Sequence, residues 1–326
     1  MSKIFSGVQP TNNLHIGNYL GAIKNWVEVQ AKNDCIFCVV DLHAITVKQD
    51  PKILRKNIIN TAKTYLALGI DPNKSMIFIQ SDVKEHAELA WILSTVTKIA
   101  ELERMTQFKD KAKQHKNNIN AGLFTYPILM ASDILLYDTE SVPVGHDQSQ
   151  HVELARMIAK KFNAEFGDTF KIPEAVIKKD GARIMGLDDP TKKMSKSAIN
   201  EYSYISLLDD PAKARKKIMK AVTDSGSEVK AGANKPAMAN LLTIYSLLSG
   251  VSVKEIENQY NGQGYGDFKE GLADVVVKFL EDFQTRFNKI SDKEIKKTLQ
   301  AGAGKAKKIA EKKMQTVKEK MGLSYQ

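Results

Sequence analysis

Cysteine is scarce in this chain, with two among 326 residues. Cys35 and Cys38 cannot form a disulfide framework, and this scarcity is typical of a protein in a reducing compartment. Their CxxC spacing also occurs in redox and zinc sites, but no second Cys or Cys/His pair completes a zinc site. Both cysteines lie in the apolar run 35–40, which predicts a buried strand with the two side chains on opposite faces.

Long apolar runs are also missing from the sequence. No segment approaches the roughly 18 apolar residues that a membrane-spanning helix needs. The run Met1 to Phe5 leads directly into a predicted strand and has no signal-peptide pattern. We therefore expect a cytoplasmic protein without a membrane partner.

Acidic residues are outnumbered, since 48 Lys and Arg face 38 Asp and Glu and give a net charge of +10. Residues 291–326 alone contain ten Lys and four acidic residues, on a helical pattern of apolar positions. A basic surface of this kind suits a polyanionic partner such as a nucleic acid. An ordinary solvated helix explains the same pattern equally well, so both interpretations stay open.

The N-terminal part of the chain alternates between apolar runs and helical patterns. Continuous apolar runs predict strands at 3–6, 35–40 and 76–79, and apolar residues three and four apart predict helices at 16–31 and from Pro51 onward. This βαβαβ order, with strands apolar on both sides, is typical of a doubly wound parallel α/β sheet. Ligands of such sheets bind beyond the carboxyl ends of the strands, and we expect the site there.

The remainder of the chain is predicted to be mainly helical. Helical patterns follow at 85–105, 123–136 and 151–162, and the chain after about residue 202 is all-helical in pattern. A chain of 326 residues is long enough for two domains.

Two segments have the residue types of a nucleotide site. In the loop after the first strand, His15 can donate to a phosphate near a helix start, and Gly17 removes a side chain where a flat base could approach. Far downstream, the segment Lys193 to Ser197 carries two lysines that could follow a departing phosphate. Taken singly, the first segment could be an ordinary strand-helix turn and the second a solvated basic loop.

Two further segments could bind a small polar ligand. Asp133 is a carboxylate within an apolar helix, where it caps a neighbouring helix, pairs with a lysine, or accepts a hydrogen bond from an indole N–H or a phenol in an aromatic pocket. The segment Gly145 to Gln148 could bind ribose hydroxyls and an amino group, or Asp147 could simply cap the next helix. His146 and His151 lack the carboxylate spacing of a metal site, so no metal ligand is expected there.

Taken together, these segments resemble the bacterial tryptophanyl-tRNA synthetases, which are class I aminoacyl-tRNA synthetases. The resemblance covers essentially the whole chain. It is carried, in order, by Phe5 to Pro10, His15 to Tyr19, Val40 to Thr46, Glu101 to Lys109, Met130 to Tyr137, Val144 to Gln148 and Lys193 to Ser197.

The resemblance implies a role for each matching residue. ATP would be held by Gln9, Pro10, Thr11, Gly17, Asn18, Gly145, His146, Asp147, Ile184, Lys193, Met194, Ser195, Lys196 and Ser197. Catalysis at the phosphates would fall to His15, Lys111, Lys193 and Lys196. Tryptophan would be bound by Asp133, which would accept the indole N–H, together with Phe5, Val40, His43, Tyr126, Met130, Val142, Val144 and Gln148.

The resemblance also implies the architecture and the partners. It implies a Rossmann-type catalytic domain at 1–205 with an inserted helical segment at about 105–170, and a helical, basic domain at 206–326 that reads the tRNA anticodon. ATP with Mg²⁺, L-tryptophan and tRNA(Trp) would be the reactants, a homodimer the working form, and no protein-bound structural metal is expected. Two positions depart from the family pattern, because Asn18 replaces the usual histidine and His146 replaces an acidic residue that many relatives carry.

Three alternatives remain at this stage. A tyrosyl-tRNA synthetase would share the fold and the chemistry, and pyrophosphate exchange with each amino acid would distinguish the two. An idle RNA-binding paralogue would use only the basic helical tail. His15 and the intact segment Lys193 to Ser197, which we call the lysine loop, argue against it. A simpler nucleotidyltransferase would have no use for that tail.

Overall fold

The computed structural model describes residues 2–11, 14–106, 119–145, 148–176, 183–195, 198 and 200–324. In this part of the chain a five-stranded parallel sheet has the order β3-β2-β1-β4-β5. Its strands are β1 Lys3–Val8, β2 Asp34–Val39, β3 Ser75–Ile79, β4 Ser141–Pro143 and β5 Glu174–Val176. The order reverses at β1, as it does in doubly wound sheets, so the predicted Rossmann-type fold is confirmed.

Helices cover both faces of this sheet and form most of the remaining described chain. The first of them, α1, contains a π-helical segment, Tyr19–Ile23, between the α-helical segments Ile16–Asn18 and Lys24–Val29. The others are α2 Asp41–Ala44, α3 Pro51–Ala67, α4 Glu85–Val96, α5 Ile99–Glu103, α6 Ala121–Leu135, α7 Ser149–Phe166, α8 Pro211–Met219, α9 Pro236–Ser249, α10 Val253–Gln259, α11 Tyr265–Lys289 and α12 Asp292–Met321.

The alternation of side chains along β2 builds two separate cores. Cys35 and Phe37 point to the face covered by α1, α3, α8 to α11 and the start of α12, which we call the first core. Ile36 and Cys38 point to the face covered by α4, α6 and α7, which we call the second core. Both cysteines are free and fully buried. The prediction that they pack on opposite faces of a strand is therefore confirmed.

Two details differ from the sequence predictions. The helix predicted at 85–105 is broken into α4 and α5, because the Lys98 backbone N–H donates to the Glu101 carboxylate at 3.0 Å and starts a new helix. In addition, β4 lies inside the segment at about 105–170 that the sequence predicts to be a helical insertion. β4 and β5 have three residues each, which is too short for a recognisable apolar pattern.

The last helix, α12, crosses the edge strand of the sheet. Ile295 near its start belongs to the first core, whereas Ala306 and Val317 belong to the second core. At the crossing point, a Cβ on Gly302 would overlap the backbone of Ile77 in β3. Only glycine permits this close approach, and the helix thereby covers an edge that would otherwise be open to another strand.

Helix length and side-chain clustering in the described residues bear on membranes and metals. No single helix is long and apolar enough to span a membrane, although α9 and α10 together, bent by 106° at their junction, would pass on length and composition. No group of three or more His, Cys, Asp or Glu side chains in the described ranges could hold a metal ion.

Candidate active site

The candidate site lies where β1, β2 and β3 end. Because these strands are parallel, their carboxyl ends meet at one edge, where ligands bind in doubly wound sheets. The chain continues there into Gln9 after β1, into α2 with His43 after β2, and into Gln80 after β3. Helix α6 runs beside this edge and brings Asp133 to the same place.

Asp133 is the most completely bound polar group of the site and is 1% exposed. Its Oδ2 lies 2.8 Å from Nε2 of His43. Its Oδ1 accepts from the side-chain amide of Gln80 at 2.6 Å and lies 2.6 Å from Nδ1 of His86. Burial by itself would raise the pKa of Asp133, but the hydrogen bonds from His43 and His86 lower it to about 2. The carboxylate is therefore ionised at neutral pH.

The proton between His86 and Asp133 follows from the chemistry of the carboxylate. An ionised carboxylate only accepts hydrogen bonds, so Nδ1 of His86 carries a proton and donates it to Asp133. The other ring nitrogen, Nε2, lies 2.7 Å from the hydroxyl of Tyr137. Burial raises the pKa of this phenol well above its usual value, so the hydroxyl keeps its proton. Asp133 and Tyr137 thus hold the two ring nitrogens of His86.

An ionised carboxylate offers about four acceptor positions, two on each oxygen. In the part of the chain that the structure describes, Gln80 and His86 fill both positions on Oδ1, and His43 fills one on Oδ2. One acceptor position is left on Oδ2 beside the His43 ring. A buried acceptor of this kind suits a single N–H or O–H donor on an otherwise apolar ligand.

The apolar residues predicted to surround the indole belong to one core. Phe5, Val40 and Val142 are buried in the second core, and Met130 and Val144 pack against it. Two of the predicted polar residues, His43 and Tyr126, lie against each other. Tyr126 packs edge-on against His43 at 6.3 Å between ring centroids, and its hydroxyl lies 3.0 Å from Nε2 of His151. Burial raises the pKa of Tyr126 to about 12.

Residues of two predicted ATP-binding segments meet at the start of α1. The His15 backbone N–H donates to Oδ1 of Asn18 at 3.1 Å, and the Asn18 N–H donates to the His15 carbonyl at 2.9 Å. This reciprocal pair closes the first turn of the helix. A Cβ on Gly17 would lie 2.9 Å from Nδ1 of His15 and 3.4 Å from Cβ of Met194. Glycine at this position therefore leaves room for the His15 ring beside the helix start.

The lysine loop is held by the strand-like segment that precedes it. The Met194 N–H donates to the Ile184 carbonyl at 2.9 Å, and the Gly186 N–H donates to the Lys192 carbonyl at 2.8 Å. Lys193 forms an isolated antiparallel bridge with Met185. Met194 is buried in the first core, whereas Lys193 is exposed. The loop is thus anchored through its methionine and presents a lysine to solvent.

The other predicted site residues fall into two groups. Pro10 is buried and Gln9 and Thr11 are half-buried after β1, while Gly145 is exposed, with its carbonyl accepting from the Gln148 N–H at 2.9 Å. Ser195 is half-buried in the lysine loop. The remaining predicted residues lie outside the described ranges, namely Lys111, His146, Asp147, Lys196 and Ser197.

The site residues predicted from the sequence do not include Gln80, His86 or Tyr137. The position of Gln80 at the predicted end of β3 does place it in the crevice where strand ends meet, but not on Asp133. His86 and Tyr137 gave no such signal, since each is an isolated residue within a helical pattern. Their roles become visible only when α4 packs against the end of α6.

Comparisons with known proteins agree with this arrangement. Residues 1–281 match the family model described as tRNA synthetases class I (W and Y). The chain therefore belongs to the class I tRNA synthetases of the tryptophan and tyrosine type. Within this family it is similar to the tryptophan-tRNA ligase of Caldanaerobacter subterraneus subsp. tengcongensis, with 54% identity over 99% of each chain.

Two solved structures are similar along their whole length. Tryptophanyl-tRNA synthetase from Mycoplasma pneumoniae superposes with a TM-score of 0.91 at 36% identity, covering 99% of this chain and 98% of the other. The Campylobacter jejuni enzyme, in complex with ADP and tryptophan, has a TM-score of 0.85 at 42% identity and coverages of 98% and 99%. The resemblance to bacterial tryptophanyl-tRNA synthetases is thus confirmed.

Proposed function

We propose that the protein is a tryptophan-tRNA ligase. It activates L-tryptophan with ATP to form tryptophanyl-adenylate and pyrophosphate, and then transfers tryptophan to the terminal ribose of tRNA(Trp). The observation that carries this proposal is the buried, ionised Asp133, with one acceptor position left in an apolar surrounding. An indole is apolar apart from one N–H. Its rings therefore suit the apolar surrounding, and its N–H can donate to the remaining acceptor position of Asp133.

The chemistry needs positioned reactants more than a side-chain nucleophile. The tryptophan carboxylate attacks the α-phosphate of ATP in line, the bond to the β-phosphate breaks, and pyrophosphate leaves. His15 and the lysine-loop residues Lys193 and Lys196 stabilise the charge that develops on the leaving group. In the second step a ribose hydroxyl of tRNA attacks the carbonyl of the adenylate, and AMP leaves.

Magnesium belongs to the substrate in this scheme. It arrives bound to the phosphates of ATP, and its ligands are phosphate oxygens and water. The protein groups proposed for the phosphate end are His15 and lysines, which complement phosphate oxygens and do not ligate a hard cation. Mg²⁺ supplies further neutralisation of the pyrophosphate charge. We also propose that the enzyme works in the cytoplasm, where tRNA is charged.

The direct test is ATP–pyrophosphate exchange with tryptophan and, separately, with tyrosine. We expect exchange with tryptophan at a kcat/KM at least about 10³-fold above that with tyrosine, because the two side chains differ in shape as well as in their polar group. Faster exchange with tyrosine would favour a tyrosyl-tRNA synthetase. Absence of exchange with both would favour an idle RNA-binding paralogue.

The outer face of α12 is the surface that we propose for the tRNA backbone. Exposed lysines recur along it at helical spacing, opposite the buried positions Gly302, Ala306 and Ala310. These outer lysines are Lys297, Lys305, Lys308 and Lys312. Other lysines of the helix are engaged by the protein itself, because Lys313 pairs with Asp138 at 2.7 Å and Lys318 pairs with Glu88. The outer lysines therefore remain available to phosphates.

Replacing Lys305, Lys308 and Lys312 with glutamine is expected to weaken tRNA binding and to leave pyrophosphate exchange unchanged. The slope of log K against log salt concentration should become less steep, by about one unit for each phosphate that is no longer neutralised. A filter-binding titration at several salt concentrations measures both quantities. The charge-matched control replaces Lys52, Lys56 and Lys160, which are exposed on α3 and α7. Equal losses in the two triple variants would contradict a specific role for α12.

A homodimer is the working form that we propose, and its interface includes α4 and α5. Trp91 on α4 is 74% exposed and Ile99 on α5 is 68% exposed. Large apolar side chains at such exposure cost free energy in water, and aromatic residues are enriched where subunits meet. A second copy of this chain that covers α4 and α5 would bury both side chains.

A Trp91→Glu variant is therefore expected to sediment as a monomer at a concentration at which the wild-type chain sediments as a dimer. The glutamate would have to be buried without a partner in the dimer, which would weaken association by several orders of magnitude. Sedimentation velocity provides the measurement. Ile53→Glu is the control, because Ile53 is 56% exposed on α3. A dimeric Trp91→Glu protein would place the interface elsewhere.

A further inference from the structure

Lys217 on α8 is a lysine whose burial needs an explanation, because it is 1% exposed. A buried ammonium group is unstable unless charges and hydrogen bonds compensate it. Its Nζ lies 2.6 Å from Oδ2 of Asp209 and donates to the carbonyl of Tyr204 at 2.9 Å. It also lies 4.9 Å from the centre of the Tyr204 ring. Each of these partners belongs to one short piece of chain, 204–209, which we call the clamp segment.

The clamp segment is held from two helices. The carboxylate of Asp209 accepts from the backbone N–H of Ser206 at 2.9 Å as well as from Lys217. From the side of α11, Gln284 donates to the carbonyls of Leu207 and Asp209 at 3.0 and 2.8 Å. Lys217 is thus the charged centre of a network that fixes the position of the clamp segment.

The clamp segment in turn pairs with the residues around His15. The Ile16 N–H donates to the Ile205 carbonyl at 3.0 Å, and the Leu207 N–H donates to the Leu14 carbonyl at 2.8 Å. His15 itself forms an antiparallel bridge with Ser206. The His15 and Tyr204 rings lie 6.1 Å apart, and Tyr204 is the residue whose carbonyl Lys217 binds.

We infer that Lys217 is a positioning residue for adenylate formation, acting through the clamp segment on His15 and the start of α1. The inference rests on the proposed role of His15 at the phosphates of ATP. Lys217 lies among residues of the first core, such as Ile205 and Ile218, whereas the apolar residues around Asp133 belong to the second core. Loss of Lys217 should therefore disturb the phosphate end of the site and spare the tryptophan end.

The test is the kinetics of tryptophan-dependent pyrophosphate exchange in a Lys217→Met variant. We expect kcat to fall by about 10²-fold, which is the effect of misplacing a reacting group by about 1 Å. The KM for tryptophan should stay within about twofold of wild type. A merely structural role would reduce the amount of folded enzyme and leave the kcat of the folded fraction unchanged.

A double variant separates position from stability. Lys217→Met leaves Asp209 buried without its counter-charge, so thermal stability should fall as well. Adding Asp209→Asn removes that charge, and we expect the melting temperature to recover while kcat stays low, because the Tyr204 carbonyl is still not held. The double variant also provides the kinetic test if the single variant fails to fold.

The matched control is Lys269→Met on α11. Lys269 is half-buried and donates to the Ala221 carbonyl at 2.8 Å, just beyond α8, but does not contact the clamp segment. Its loss should lower stability and preserve kcat.

The contrary outcomes are distinguishable when His15→Ala is measured in parallel. If His15→Ala is slow but the folded Lys217→Met variant has wild-type kcat, or if kcat recovers with stability in the double variant, the inference alone is overturned. If His15→Ala itself has wild-type kcat, the proposed role of His15 fails, and the inference fails with it.

Discussion

An Asp133→Asn variant is expected to lose about 10³-fold in kcat/KM for tryptophan, measured by pyrophosphate exchange. The amide has one oxygen, so it cannot accept from His43, Gln80, His86 and an indole N–H together. Its NH₂ group also places a donor against the donor groups of neighbouring side chains. A buried donor without an acceptor costs about 1–3 kcal/mol of stability. This cost will also lower the thermal stability of the variant. Its kinetic constants must therefore be expressed per molecule of folded enzyme.

A substrate analogue identifies the hydrogen bond itself. In the benzothiophene isostere of tryptophan, sulfur replaces the indole N–H while size and shape are nearly kept. Wild-type enzyme should strongly prefer tryptophan to this analogue, and the Asp133→Asn variant should show little preference. The KM for ATP should be similar in both proteins, since the phosphate end lies elsewhere in the site. Undiminished preference in the variant would remove Asp133 from the recognition of the indole.

The second large effect is expected at the lysine loop. Replacing Lys193 and Lys196 with alanine should lower the kcat of adenylate formation by about 10³-fold, while the KM for ATP changes only a few-fold. The reason is that the charge of the leaving pyrophosphate develops in the transition state, so groups aimed at it contribute little to ground-state binding. The Lys196→Ala variant alone should show the same imbalance to a smaller extent.

A control for this experiment lies in the same loop. Lys192 is the immediate neighbour of Lys193, but its side chain is 81% exposed and pairs with Asp189 at 2.8 Å. Lys192→Ala removes the same charge from the same loop, and we expect kcat within about twofold of wild type. Single-turnover measurement of adenylate formation, with ATP affinity measured separately, provides both numbers. Equal losses of rate and of ATP affinity would contradict a role in the transition state.

The sequence was sufficient for the elements that have a long apolar signal. The strands β1 to β3 and the helix beginning at Pro51 follow directly from their patterns, and Asp50 caps that helix through the N–H groups of Lys52 and Ile53. β4 and β5 could not be predicted, because three residues show no period and Pro143 even lacks a backbone donor. Their place in the sheet depends on pairing with β1 and with each other.

In the candidate site, too, some features follow from the sequence and others depend on packing. Asp133 could be selected from the sequence because a carboxylate within an apolar helix must find a partner. Its pairing with Gln80 and His86 could not be predicted, since these residues lie 53 and 47 residues away along the chain and meet Asp133 only through packing. The same holds for Lys217, which looks like one basic residue among several in the run Lys213 to Lys220. Burial distinguishes it, and burial is a property of the fold.

The crossing of α12 over β3 has a consequence for the synthesis of the chain. The second core contains residues from Phe5 to Val317, so it cannot close until nearly the whole polypeptide has left the ribosome. Until then the edge of β3 beside Ile77 remains uncovered, and contacts between such distant residues form slowly. Nascent chains stopped before Gly302 should therefore be captured by chaperones and digested by proteases, although most of the sheet has already been made.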